Sequence, residues 1–243
     1  MTAPRPLTAG RFRLVSFDLD GTLVDSAAEI VEACNLTFAE FGVAPRPYDD
    51  VVACIGHGTR ELMTKQLARV LAAEPQRADQ LRFEQVFPRF TAYYAQTAGT
   101  SARPFAGTLE ALDLLHDHDV ICVCVTNKEQ QHAERVLDAT GLSERFAMVV
   151  GGDLLPFKKP DRRVLEHVLQ RFGVARHEAG HVGDSSIDVD TARAAGVAAW
   201  AVPYGYNGGR PVACSGPDGL FERLDELARQ VCSGSLQPIS APG

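Results

Sequence analysis

Short apolar runs, each closed by a polar cluster, punctuate the chain: RLVSF at 13–17, VICVCV at 120–125, FAMVV at 146–150 and the weaker GHVG at 180–183. They are brief and rich in β-branched residues, the pattern of strands buried on both faces in a parallel sheet. Between them the period lengthens to that of a helix. Val164, Leu165, Val168, Leu169 and Phe172 share one face, and Gly173 closes the pattern. Strands alternating with helices in this way predict a Rossmann-like, doubly wound α/β core, with GVAAWAV at 196–202 as a fifth unit.

The first run is not followed by its expected partner. Roughly 75 residues of helical pattern intervene before PFAGTLEALDLL at 104–115 restarts the alternation, which predicts an inserted α-helical domain. The expected organisation is a core of residues 1–25 and 103–233, a helical insert over 26–102, and a mobile tail over 234–243, where the residues turn small, polar and Pro-containing. Within the insert, Ser26-Ala-Ala-Glu29 has capping-box spacing, Ile30, Cys34 and Phe38 recur every four residues, and Gly42 follows. That predicts a helix over 26–41. Further helical stretches are expected at 59–71 and 77–98, with breaks at Pro45, Pro47 and Pro75.

Composition narrows the function classes. The 243 residues are 45% hydrophobic and 23% charged, ordinary for a globular protein, and no apolar stretch approaches the 18 or so residues of a membrane span. A net charge of −7 without a Lys/Arg block argues against nucleic acid as a partner. The opening MTAPRPLTAG lacks the apolar segment of a secretory signal, so a cytoplasmic location is expected. The six cysteines form no C-x-x-C pair, and Cys122 and Cys124 read as small hydrophobes on one side of a strand.

The chemistry sits where the apolar runs end. Asp18-Leu-Asp20-Gly21-Thr22 places two carboxylates on one side of an extended chain, roughly 6 to 7 Å apart at their Cα atoms. Asp-Gly is also a common hairpin turn, but no second strand of that kind follows. Open α/β sheets bind ligands beyond the carboxyl ends of their strands, so Thr126-Asn127 and Asp184 should converge with the first pair. Asn127 suits either an anion contact or the cap of a helix beginning at Lys128. Asp188 suits either the site or the first turn of the next helix. Lys159 precedes Pro160, which fits the first position of the helix running to Phe172; a cation there calls for a bound anion or a carboxylate. Lys158 reads as a solvated surface charge. An all-oxygen donor set favours Mg²⁺ over zinc, and with the lysine it could bind a phosphoryl group. One carboxylate could attack phosphorus while the other protonates the leaving oxygen.

The order Asp18-x-Asp20-Gly21-Thr22, Thr126, Lys159-Pro160 and Gly183-Asp184 with Asp188 resembles the haloacid dehalogenase superfamily, and the helical insert resembles the cap of its phosphatases. The resemblance implies Asp18 as nucleophile and Asp20 as general acid and base. It implies Thr126 and Lys159 on the phosphoryl oxygens, Asp184 joining Asp18 and the Asp20 carbonyl on Mg²⁺, and Asp188 supporting the metal's waters or Lys159. FDLDGTLVDS, VTNK, VGDSSIDVDTARAAG and YGYNGG are similar to phosphoglycolate phosphatases in particular. His57, where Asn is common, and Asp161, where a second Pro is familiar, depart from that pattern. The loop 56–60 is expected to close over the leaving group, with Arg60 or His57 binding a substrate carboxylate; the same residues also fit a surface turn and a solvated helix. The implied activity is Mg²⁺-dependent hydrolysis of a small phosphorylated metabolite, 2-phosphoglycolate, by a monomer or homodimer. A broad sugar-phosphate phosphatase, a phosphosugar mutase and a non-catalytic phosphate-binding module are the alternatives.

Overall fold

The structure, a computed structural model, describes residues 12–236. The expectations for the opening segment and for residues 237–243 of the tail lie outside the described residues. The first strand, β1 (Leu14–Phe17), takes the middle of a sheet because both of its faces find apolar partners: Val15 and Phe17 enter one hydrophobic cluster and Leu14 enters another. The chain then forms a two-residue strand, β2 (Val24–Asp25), and passes through α1 (Ala27–Glu40), α2 (Tyr48–Val52), α3 (Thr59–Ala73) and α4 (Phe83–Thr97) before returning along β3 (Arg103–Pro104). β2 and β3 pair antiparallel, Val24 facing Pro104 and Asp25 facing Arg103, so the exit and re-entry of this helical insert lie side by side.

From there the expected alternation runs through α5 (Thr108–Asp117), β4 (Ile121–Val125), α6 (Gln130–Ala139), β5 (Met148–Val150), α7 (Arg163–Phe172), β6 (Ala179–Gly183), α8 (Ser186–Ala195), β7 (Ala198–Ala201), β8 (Gly219–Leu220) and α9 (Leu224–Ser233). The sheet order is β5-β4-β1-β6-β7-β8, parallel at every pairing. Cys122 and Cys124 pack with Phe17 on one face, while Val123 and Val125 meet Val164, Leu165 and Val168 of α7 on the other. All six cysteines are free. Because β4, β1 and β6 are neighbours spaced about 4.8 Å apart, the residues that follow them arrive together at one edge of the sheet. Among the described residues, no helix is long and apolar enough to cross a membrane.

Four local expectations are corrected. Ser26 stands at the start of α1 but makes no capping hydrogen bond; the Tyr206 hydroxyl accepts from the Ser26 and Ala27 amides instead, at 2.9 and 3.0 Å. Glu29 turns away from the helix end, and its Oε2 accepts from the amides of Gly99, Ser101 and Ala102, where the insert leads back to the sheet. Within 77–98 the α-helix starts only at Phe83; Pro75–Arg77 form a 3-10 turn, and the Arg77 guanidinium donates to the carbonyls of Phe41 and Gly42 at the end of α1. α7 begins at Arg163 rather than at Pro160; Asp161, ahead of the helix, accepts from the Arg163 amide at 2.9 Å. Asn127 likewise caps nothing, since α6 starts at Gln130 and its side chain is engaged elsewhere.

Candidate active site

Asp18 follows β1 directly, and its amide continues the ladder by donating to the Val182 carbonyl at 2.9 Å, which fixes the residue at the sheet edge. Asp184 follows β6, and Asp188 lies one turn into α8. One carboxylate oxygen from each of Asp18, Asp184 and Asp188 lies within 4.8 Å of the others, and all three side chains are buried. Lys159 reaches in from the segment before α7. Its ammonium, 1% exposed, stands 2.8 Å from Asp18 Oδ1 and 2.6 Å from Asp188 Oδ1. Asp188 is further engaged by His181 Nε2 at 3.3 Å and by the Ser185 hydroxyl and amide.

The three acids carry different charge environments. Burial pushes Asp18 up to about 6, with Lys159 opposing and the Asp188 and Asp20 carboxylates adding to the rise. Asp184 is raised well above the usual carboxylate range by burial and then by Asp188 and Asp18. Burial would raise Asp188 too, but Lys159 and His181 outweigh it and hold this carboxyl far below that range. Asp184 also accepts from the Tyr206 amide and, at 3.4 Å, from the Thr22 hydroxyl. This crowding explains two glycines: a Cβ at Gly21 or at Gly205 would overlap the Asp184 carboxylate, and Gly21 has φ +85° besides.

A cleft beside this cluster is lined by Asp18, Asp20, Thr126, Asn127 and Lys128 from the sheet edge and by Gly56, Gly58, Thr59 and Tyr94 from the insert. Thr126 is buried, with its Oγ1 accepting from the Lys128 amide at 3.2 Å. Asn127 donates to the carbonyls of Gly56 and Lys159, both at 3.0 Å, so it joins the insert loop to the lysine segment. Lys158 is exposed as expected and donates to the His57 carbonyl at 2.7 Å, while Thr59 donates to Glu129. The loop 56–59 is therefore fastened to the sheet edge at three points.

Arg60 and His57 are not brought into that cleft. Arg60 stacks over Phe83 and Phe87, with centroids at 4.9 and 4.8 Å, and lines an adjoining cavity of about 200 Å³ with Phe90, Tyr94 and His132. His57 lies at the surface with Nε2 3.9 Å from Glu61. Lys128, Ser26 and Tyr206 also touch the site, through Asp20 and Asp184. Lys128 stands beside two residues already singled out for chemistry, and Tyr206 lies in the YGYNGG stretch. Ser26 has the spacing of a helix cap, which hides its contact with Asp20.

The model for haloacid dehalogenase-like hydrolases matches residues 15–202. A protein of Thiobacillus denitrificans named phosphoglycolate phosphatase is 36% identical over 228 residues, covering 94% of this chain and 97% of that one. Another of that name, from Nitrosospira multiformis, is 36% identical over 235 residues, covering 97% and 100%. Among solved structures, one described as a predicted phosphoglycolate phosphatase from Haemophilus somnus superimposes with a TM-score of 0.85 at 29% identity, covering 90% of this chain and 97% of that one.

Proposed function

The chain belongs to the haloacid dehalogenase-like hydrolases and is a phosphatase, and from that premise we propose that it hydrolyses 2-phosphoglycolate through an aspartyl-phosphate intermediate on Asp18. The observation that carries this reading is the meeting of Asp18, Lys159 and Asp184 at one buried sheet edge, with Asp20 and Thr126 on the adjoining cleft. Asp18 attacks phosphorus; Asp20 gives a proton to the leaving oxygen and then takes one from the water that cleaves the acyl phosphate. Lys159 and the Thr126 hydroxyl hold the phosphoryl oxygens, and Asp188 holds Lys159 in place. Residues 26–102 form a cap over a core whose described part is 12–25 and 103–233, and the fastened loop 56–59 excludes water during the chemical step. The relatives' names support 2-phosphoglycolate as the substrate.

A divalent cation fits the residues. With all four ionised, the buried aspartates 18, 20, 184 and 188 outnumber the buried lysines 128 and 159 by two charges, which one such ion balances. The donors of the cluster are all oxygens, which favours Mg²⁺ held by Asp18, Asp184 and the Asp20 carbonyl. When bound, the ion supplies charge neutralisation to the transferring phosphoryl group.

Two outcomes are expected. With Mg²⁺ present, kcat/KM for 2-phosphoglycolate should exceed that for small sugar phosphates and nucleoside monophosphates by at least about tenfold, a factor worth roughly 1.4 kcal/mol of transition-state binding. A flat profile would remove the substrate assignment and leave a general phosphatase. Secondly, because Asp18 and Asp184 bind protons more readily than ordinary carboxylates, protons compete with the ion at mildly acidic pH. The Mg²⁺ dissociation constant, measured by calorimetry, should rise as pH falls through about 6. Affinity independent of pH between 5 and 8 would place the ion elsewhere.

A further inference from the structure

Lys128 is a buried cation that the reaction outlined above does not use. Its side chain is 2% exposed, and its ammonium stands 2.6 Å from Asp20 Oδ1. The Ser26 hydroxyl donates to the same oxygen. Among the described residues, no hydrogen bond falls on Asp20 Oδ2, and Asp20 lines the cleft beside Asp18. The lysine is fixed from the other side by the ring of Tyr94 from α4, whose centroid is 5.4 Å from the ammonium. Burying a lysine this deeply is costly unless it is paired, so the arrangement is a demanding one to keep.

A carboxylate that donates and then recovers a proton has to present one oxygen to the reacting atoms, while its other oxygen is held so that the group does not rotate. We propose that Lys128, seconded by Ser26, is the positioning residue for Asp20: it clamps Oδ1 and leaves Oδ2 as the oxygen that carries the proton. The inference rests on the assignment of Asp20 as general acid and base. In the first step the Oδ2 proton passes to the leaving oxygen as the P–O bond breaks and its electron pair stays on that oxygen. In the second, Oδ2 takes a proton from the attacking water as the acyl phosphate bond breaks, which returns Asp18 and Asp20 to their starting states.

The test is leaving-group dependence. An alkoxide leaving group needs the proton and a nitrophenolate scarcely does, so a defect in proton delivery shows on the first and much less on the second. Lys128→Met, Ser26→Ala, Asp20→Asn and the Asp20→Asn/Lys128→Met double variant are compared on 2-phosphoglycolate, 2-hydroxyethyl phosphate and p-nitrophenyl phosphate. Lys128→Met should lower kcat on both alkyl esters by about 100-fold with KM changed less than about threefold, and cut the alkyl-to-aryl ratio at least tenfold. Ser26→Ala, which keeps the buried ion pair and hence the fold, should shift the ratio in the same direction by about fivefold. In the Asp20→Asn background, Lys128→Met should cost nothing further, since both changes act through one group.

Equal losses on all three esters would reduce Lys128 to a structural role. A rise in KM confined to 2-phosphoglycolate would make it a ligand of the substrate carboxylate. Additive losses in the double variant would show that it acts apart from Asp20. Each of these overturns the inference while Asp20→Asn still discriminates between alkyl and aryl esters. If Asp20→Asn does not discriminate, the acid–base assignment itself falls.

Discussion

Asp18→Asn is expected to lower phosphate release from 2-phosphoglycolate by at least about 10⁴-fold and to leave the metal-free protein no less stable than the parent. The first half follows from chemistry: an amide cannot form the acyl phosphate, and the other carboxylate beside Lys159, Asp188, is already engaged by His181 and by the Ser185 hydroxyl and amide. The second half follows from burial. Burial, helped by the Asp188 and Asp20 charges and opposed by Lys159, raises Asp18 to about 6, whereas an unfolded aspartate titrates near 4. The folded chain therefore holds this proton more tightly than the unfolded chain. The resulting contribution to stability is complete below about pH 4 and is lost as pH rises through about 6. At pH 7.5 the ionised carboxylate is a burden on the metal-free fold, and the neutral amide removes it while its oxygen still accepts from Lys159. Melting of both proteins in chelator at pH 7.5 and pH 4 checks this: the variant should melt at or above the parent at pH 7.5. Phosphate release by the purified variant at more than about 1% of the parent rate would take the nucleophile's role from Asp18.

That the strand ends meet at one place was legible because it depends on two properties visible in a single chain. Strands buried on both faces carry few polar positions except at their ends, and parallel order puts those ends on one side. Thr126, Asp18 and Asp184 follow β4, β1 and β6, which are adjacent, and so they converge. The weak run GHVG was harder to read as a strand for a physical reason. A Cβ at Gly180 would overlap the Trp200 ring from β7, and His181 faces Ser16 and Asp188, so the residues that normally mark a strand are displaced by its neighbours. β8, two residues paired with Trp200 and Ala201, has no periodicity to detect.

What local spacing misread was the polar side chains whose partners lie far along the chain. Ser26-Ala-Ala-Glu29 has the form of a capping box, yet Ser26 serves Asp20 and Glu29 serves the segment 99–102. A phenol 180 residues away, Tyr206, takes over the cap. Buried polar groups need partners, but nothing in the sequence states which partner, and the nearest one along the chain is not the nearest in space. Arg60 was misdirected in the same way: its guanidinium found two aromatic rings of the insert, Phe83 and Phe87, rather than the cleft. The residues at strand ends were thus placed by topology, and those of the insert by packing that only three-dimensional structure reveals.

Lys159→Met should be the most damaging substitution to fold and function together, and a second change should separate the two. The ammonium stands 2.8 and 2.6 Å from Asp18 and Asp188, and all three side chains are buried. Removing it leaves two buried carboxylates without their cation, a loss of roughly 3–5 kcal/mol for a broken buried pair. Asp188 bears most of that. Burial alone would push its carboxyl up, and Lys159 is the main influence holding it down, so the stability it now contributes above the usual carboxylate range disappears with the lysine. Activity should fall by about 10³-fold if, as proposed, the lysine is a donor to the phosphoryl oxygens. Lys159→Met/Asp188→Asn removes the orphaned charge along with its partner; it should recover most of the lost melting temperature but no more than about tenfold of the lost kcat. If the double variant regained both, Lys159 would be a structural counter-ion to Asp188 and nothing more. If it regained neither, the lysine's pairing with Asp18 alone would dominate, and Lys159→Met/Asp18→Asn should then restore the fold.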